Sequence, residues 1–495
     1  MTRLLCLLAV SLSPAGAATL AERIDRLLDS SPVARTSFWG IQVLDLAGGE
    51  TLYEFNPNRF FVPASNTKLF STALALARLG PSYRFVTRVV APSPPDDSGV
   101  VRGPVILLGG GDPNLSGRSL PYRMGPVAGN PLAAIEDLAE QIAERGVHRI
   151  EGGVVGDDTT YVWAPYPDGW GIDDPQYEYG APVSALTLND NAFTLSIRPG
   201  ARDGDPAALS LNPAVPYYEI DNRVRTAATG ERRIRFDRDP GGMQLRLWGS
   251  IPVRDKGEDI LLGIEDPALW AASALRAALT ARGIVVAGDV TARHLFPNQV
   301  PDPKQAPEPP VVPAGLELAR RSSEPLAEDL RVTDKVSQNL HAELALRAVA
   351  LARRNIGSRE AGIEELKAFL DEVGVERTQY HILDGSGLSR LNLVTAATVV
   401  KLLRYMYASP QRETWIGLLP VGGQDGTLSA RFGTTPAAGR IHAKTGSLSH
   451  VSALSGYAQR LDGRWVAFSI LVNNFNGPTS EVRGVMDRIC NLIVE

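Results

Sequence analysis

Apolar and polar residues alternate through residues 37–55 on either side of Ala47-Gly48-Gly49, the period-two pattern of a β-hairpin turning at glycine. Behind Pro63 the period changes. Leu69, Ala73, Leu74 and Ala77 fall at helical spacing and Gly80-Pro81 ends the run, so the pattern predicts a helix over residues 65–79. From about residue 91, short β-like runs (Val105–Leu108, Gly153–Val155, Ala192–Ile197, Gln244–Trp248) stand among dense Pro, Gly and Asp. Helical stretches at Pro131–Arg145 and Pro267–Arg282 interrupt them, and the proline-rich segment Pro297–Pro313 reads as a linker. Helical periodicity then returns at Pro325–Arg331, Leu340–Arg354, Arg359–Val373 and Thr395–Ala408. Three strand patterns follow, at Arg440–Thr445, Val451–Arg460 and Trp465–Asn473, with Gly463 at the last turn and a helix from about Thr479 to Val494.

The simplest assembly of these elements is α+β. The N-terminal hairpin pairs with the three C-terminal strands in one antiparallel sheet flanked by helices, and residues 91–315 form a long, mainly β insertion. At about 100–200 residues per domain, 495 residues allow two to four domains.

The first residues read as a processing segment. Arg3 is a short positive region, Leu4 to Leu12 an apolar run, and Ala15-Gly16-Ala17 a small-residue cleavage site, which predicts a signal peptide over 1–17 and export to the periplasm. The run is too short to cross a hydrocarbon core of about 30 Å, and no later segment reads as a transmembrane anchor. Cleavage removes Cys6 and leaves Cys490 alone, so no internal disulfide is expected. A composition of 44% hydrophobic and 21% charged residues is that of a folded protein, and a net charge of −5 gives no reason to expect nucleic-acid binding.

Only seven of the 50 basic residues are lysines, so a lysine inside a motif is informative. Ser65-Asn66-Thr67-Lys68 puts a hydroxyl and an amine on one helix face. A serine needs a base within reach, and a lysine serves only when its pKa falls from about 10.4 to about 7–8, a cost near 4 kcal/mol that demands burial and a second cation. Alone, this spacing is weak, since a solvated lysine on a helix explains it. Ser337-Gln338-Asn339 precedes a helix, where Ser or Asn commonly serves as the N-cap. Lys444-Thr445-Gly446 ends a strand pattern, where lysine offers a cation and glycine lets a ligand backbone approach the edge.

Together, in the order helix, inter-helix loop and strand, the three match the Ser-x-x-Lys, Ser-Asp-Asn and Lys-Thr-Gly signature of penicillin-recognising enzymes, with Gln338 where Asp is usual. The chain resembles the D-alanyl-D-alanine carboxypeptidase/endopeptidases, the class C low-molecular-mass penicillin-binding proteins. Further matching segments are Gly109–Leu115, Ala181–Leu186, Asp384–Arg390 and Asp425–Leu428. The resemblance implies a penicillin-binding transpeptidase-like domain (18–90 and 316–495), an inserted domain (91–115 and 180–315) and a second one nested in it (116–179). It also implies hydrolysis of D-Ala-D-Ala ends and D-Ala–diaminopimelate cross-links of peptidoglycan stem peptides, with covalent trapping by β-lactam antibiotics.

By the same resemblance Ser65 is the nucleophile and Lys68 its base. Ser337 relays a proton to the leaving amine and Lys444 holds Ser337. Asn339 takes the substrate amide, and Thr445, in the Lys-Thr-Gly motif with Gly446, takes the terminal carboxylate. The backbone N–H groups of Ser65 and Ser447 form the oxyanion hole. Trp170-Gly171-Ile172-Asp173-Asp174 resembles the segment that meets a diaminopimelate ammonium, through Asp174 with Asp173 as rival, and Arg390 stands near the substrate carboxylate. A serine β-lactamase or esterase would share the acyl-enzyme and differ by fast deacylation. No His-Glu-x-x-His or Cys-x-x-Cys spacing suggests a metal site, no cofactor is implied, and no Gly-x-Ser-x-Gly elbow suggests an α/β-hydrolase.

Overall fold

In Trp465–Asn473, Val466, Phe468, Ile470 and Val472 enter one apolar layer while Ala467 and Leu471 enter another. A strand apolar on both faces belongs inside a sheet covered on both sides. In the computed structural model, which describes residues 18–300 and 315–495, that sheet has five antiparallel strands. Their order is Ile441–Leu448, Val451–Gln459, Trp465–Asn473, Phe38–Asp45 and Thr51–Phe55. The N-terminal hairpin therefore joins the C-terminal strands, with Ile41 opposite Ile470. Residues 1–17 and 301–314, which hold the expected signal peptide and most of the linker, lie outside the described residues.

Helices Leu20–Ser30 and Thr479–Val494 cover one face of the sheet. Lys68–Leu79, Asn339–Arg354, Arg359–Val373 and Ala396–Ala408 build the other layer. Ala443 points to the first layer, so Lys444, its neighbour in the edge strand, points to the second. The Leu20–Ser30 helix was not anticipated, although Thr19 and Glu22 form a reciprocal capping box at its start, a device worth about 1 kcal/mol. Two expected boundaries shift in ways that matter for the chemistry. The segment expected as one helix from residue 65 is a 3-10 turn, Ala64–Thr67, followed by the α-helix Lys68–Leu79. The strand expected to stop at Thr445 runs to Leu448 and carries Gly446 and Ser447.

The insertion begins and ends with strands of its own. Val86–Ala91 pairs antiparallel with both Leu316–Ser322 and Val105–Leu108. Val154–Val162 and Val290–Leu295 complete this second five-stranded sheet through parallel pairing. Residues 116–179, expected as a nested unit, supply the Ala133–Glu144 helix and the Val154–Val162 strand to the same apolar core as residues 186–284. Tyr161, Val183 and Ala185 of this body pack on Leu340 and Leu344, so it sits directly on the helix that carries Asn339. Among the described residues no helix is long and apolar enough to cross a membrane.

Candidate active site

The Ala64–Thr67 turn leads into its helix through Ala64, a non-glycine residue at φ 48°. Such backbone costs of order 1–3 kcal/mol and persists where the surroundings impose it. One turn on, Lys68 is completely buried, and its Nζ meets three oxygens: Ser65 Oγ at 2.9 Å, Asn339 Oδ1 at 2.6 Å and the Ser386 carbonyl at 2.7 Å. Two of these, the amide and carbonyl oxygens, can only accept. A neutral amine has two N–H donors and one lone pair, so those two oxygens take the donors and the lone pair is left to face the Ser65 hydroxyl. The same three contacts therefore satisfy the neutral amine as well as the ammonium, which is what a base needs.

Ser337 sits in the loop between Leu326–Lys335 and Asn339–Arg354, also left-handed at φ 65°. Its Oγ accepts from Lys444 Nζ at 2.8 Å. The helix cap is supplied by Gln338, whose side-chain oxygen accepts from the Leu340 amide, and not by Ser337 or Asn339. Both polar members of the motif are thereby free to meet lysines. Asn339 uses Oδ1 for Lys68 and one Nδ2–H for the Tyr179 carbonyl at 2.8 Å, which leaves its second N–H for a ligand. The structure brings residues 65, 68, 337, 339 and 444 together.

Burial first, and then the charge of Lys444, push the Lys68 amine well below its ordinary pKa, against the opposing pull of Asp384, Asp334 and Glu343. Lys444, itself completely buried, is brought by burial down to about 8, with Asp334 resisting. Asp334 is fully buried. Burial raises it to about 7, while Lys444 and Lys68 pull it down.

A cleft of about 620 Å³ opens over Ser65, Ser337 and Asn339, walled by Trp170, Asp173, Asp174, Tyr179, Arg390 and Ser447. Both expected aspartates are in that wall. Asp174 is the better fixed, accepting from the Gly171 amide at 2.7 Å, and burial raises its carboxyl. Arg390 is exposed and donates to the Ser449 carbonyl at 3.2 Å. The Thr445 hydroxyl donates to Thr427 Oγ1 at 2.8 Å, pairing two alcohols at the strand edge. Gly446 has a packing reason of its own. It is buried, and a β-carbon there would lie 2.7 Å from the Pro63 carbonyl oxygen, so the glycine makes room for the Ser65 turn.

Several supporting residues escape sequence reasoning. Glu343, one turn beyond Asn339, accepts from the Gly385 and Ser386 amides at 2.8 and 2.9 Å and so fixes the carbonyl that Lys68 meets. Asp384 accepts from the Trp170 indole at 3.0 Å and ties the cleft wall to that loop. Asp384 and Ser386 lie in a segment that the resemblance had marked, but Trp170, Glu343 and Lys68, which they meet across the site, are each more than 40 residues away. Among the described residues no cluster of His, Cys, Asp or Glu could hold a metal ion.

A buried lysine aimed at a serine, with a second lysine on a second serine beside a sheet edge, defines a serine peptidase site of the penicillin-recognising kind. Residues 20–492 match the model of the D-Ala-D-Ala carboxypeptidase 3 (S13) family, and the chain belongs to that family. It is 36% identical over 471 residues to a D-alanyl-D-alanine carboxypeptidase of Actinomadura sp. (strain R39), covering 93% of this chain and 82% of that protein. It is 25% identical to the D-alanyl-D-alanine carboxypeptidase DacB of Haemophilus influenzae over 86% of this chain and 83% of that one. The crystal structure of penicillin binding protein 4 (dacB) from the same organism superposes with a TM-score of 0.80 at 22% identity, covering 95% of this chain and 99% of that one. That protein has also been solved in complex with a β-lactam.

Proposed function

We propose that this serine peptidase hydrolyses the D-Ala-D-Ala ends and D-Ala–diaminopimelate cross-links of peptidoglycan stem peptides through an acyl-enzyme on Ser65. The contact between Ser65 Oγ and the buried Lys68 Nζ at 2.9 Å carries the reading. Lys68 takes the Ser65 proton as Oγ bonds to the D-alanyl carbonyl carbon. The C–N bond then breaks, and Ser337, held by Lys444, relays a proton to the departing amine. Water attacks the ester in a second step, releases the D-alanyl acid and returns the proton to Ser65. The Ser65 amide, in the opening turn of its helix where no intrahelical acceptor exists, and the Ser447 amide receive the developing oxyanion, a contribution of about 3–4 kcal/mol.

Asn339, with one N–H to spare, receives the substrate amide, and Thr445, paired with Thr427, receives the terminal carboxylate. Asp174 and Arg390, on one wall of the cleft, read the free ammonium and carboxylate of a diaminopimelate side chain. A β-lactam presents the same carbonyl but tethers its leaving amine, so the ester persists. The enzyme works in the periplasm after removal of residues 1–17. Digestion of purified muropeptides tests the reading: release of D-alanine and of monomers from dimers supports it, and unchanged muropeptides with wild-type protein refute it. Loss of a penicilloyl adduct within seconds would instead favour a β-lactamase.

A further inference from the structure

Three consecutive non-glycine residues, Asn189, Asp190 and Asn191, have left-handed backbone, at φ 48°, 57° and 51°. One such residue is uncommon, and a run persists only where its surroundings hold it. This run pushes the Asp190 carboxylate out of the inserted body and onto the Ser337-Gln338-Asn339 loop. Asp190 Oδ2 accepts from Gln338 Nε2 at 3.1 Å and pairs with the Arg118 guanidinium, and Oδ1 lies 3.0 Å from His341 Nε2. The other ring nitrogen, His341 Nδ1, lies 2.7 Å from Asp329 Oδ1, and Asp329 in turn accepts from Asn114 Nδ2 at 3.0 Å. His341 is completely buried between the two carboxylates. Burial pulls its imidazole down, yet Asp329 and Asp190 hold the pKa at about 9, so both ring nitrogens carry protons at neutral pH. Burial pushes Asp190 up, but Arg118 and His341 outweigh it and keep the carboxyl well below its usual range.

The contacts are placed where the chemistry is most demanding. Gln338 and His341 flank Asn339, whose Oδ1 meets Lys68, and Gln338 follows Ser337, whose left-handed backbone needs an external hold. Asp190 touches neither lysine in any contact described above, so its effect must pass through the loop. Gln338 is also where this chain departs from the usual Ser-Asp-Asn, and its amide supplies a donor that an aspartate lacks.

We propose that Asp190 is a positioning residue for acyl transfer: through Gln338 and His341 it fixes Ser337 and Asn339 in register with Lys444 and Lys68. This rests on the reading of Ser65 given above. The test measures the acylation rate with a fluorescent penicillin, and kcat and KM on a D-Ala-D-Ala peptide, for wild type, Asp190→Asn, Gln338→Met and the double variant. Asp190→Asn should acylate about thirtyfold more slowly, with kcat falling by a similar factor and KM moving less than about threefold. Gln338→Met, which leaves the Arg118 and His341 contacts in place but also removes the Leu340 cap, should slow acylation about fivefold, and the double variant should be slower than Asp190→Asn by clearly less than that factor, since the Gln338–Asp190 contact is lost in both. A folded Asp190→Asn that acylates like wild type, or effects that simply multiply, would overturn the proposal. If Asp190→Asn does not fold, Gln338→Glu decides, because it keeps an oxygen for the Leu340 amide and loses the donor to Asp190: slowed acylation supports the brace and an unchanged rate overturns it. A wild type that takes no label at all would instead sink the acyl-enzyme reading.

Discussion

Lys444 and Lys68 are both wholly buried, and after burial itself the charge of Lys444 is the strongest influence lowering the Lys68 amine. The pair divides the labour by environment. Lys68 meets two obligate acceptors and one hydroxyl, so it can give up its proton and still be satisfied. Lys444 keeps its charge near neutrality and holds Ser337.

The pH dependence of acylation follows from that division. Lys68 must be neutral to take the Ser65 proton, so the rate climbs as pH rises through its depressed pKa. Lys444 must stay protonated, so the rate falls as pH passes its value of about 8. Acylation rates measured from about pH 5 to about pH 10 should trace a bell with its descending limb near 8. A rate that keeps rising to the alkaline end would remove Lys444 from the mechanism.

Asp334 stands in the field of both lysines. Its charge raises both amines, so Asp334→Asn should lower both and shift the descending limb to lower pH by about one unit. The same pH series on the variant checks this. A limb that stays in place would mean that Asp334 is already neutral there.

Replacing Lys68 by methionine keeps most of its bulk and removes the proposed base. Acylation of Ser65 should fall by about 10²–10⁴, the usual range for a lost general base. Stopped-flow labelling with a fluorescent penicillin reads the change directly. A loss below about tenfold would point to another base.

Gly446→Ala sets a β-carbon against the Pro63 carbonyl, behind the nucleophile. The Ser65 turn must then withdraw from the strand, and acylation should slow by about tenfold or more, because misplacement of reacting groups by fractions of an ångström is costly. Thermal melting together with acylation kinetics separates this from global unfolding. Wild-type kinetics would show that the turn tolerates the move.

Asp174→Asn bears on substrate choice. The carboxylate in the cleft wall should matter most for peptides with a free ammonium on the third residue, so kcat/KM for those should fall about tenfold further than for acetylated analogues, the scale of one lost charge-assisted hydrogen bond. Equal losses on both substrates would assign the residue to the wall's structure alone.

Sequence patterns carried the framework because its signals are local. The hairpin, the three closing strands and the motif positions 65, 68, 337, 339 and 444 each rest on a few neighbouring residues. What stayed hidden depends on distant pairing. Val86–Ala91 joins the inserted sheet only because Leu316–Ser322 returns beside it, and no local pattern reports that. Glu343, Asp384 and Trp170 look like ordinary helix and loop residues until the chain folds Trp170 against Asp384 and Glu343 beneath Ser386. The Thr19–Glu22 capping box, by contrast, is a local signal that the sequence does carry. Gly446 was singled out, but its reason, the approach of the Pro63–Asn66 turn, needed coordinates.

One measurement bears most directly on the chemistry: mass spectrometry of the protein after brief exposure to benzylpenicillin, followed by peptide mapping. A single penicilloyl group on the peptide containing Ser65, absent from Ser65→Ala, is the expected result. An unmodified protein, or a label on any other residue, would refute Ser65 as the nucleophile primed by Lys68.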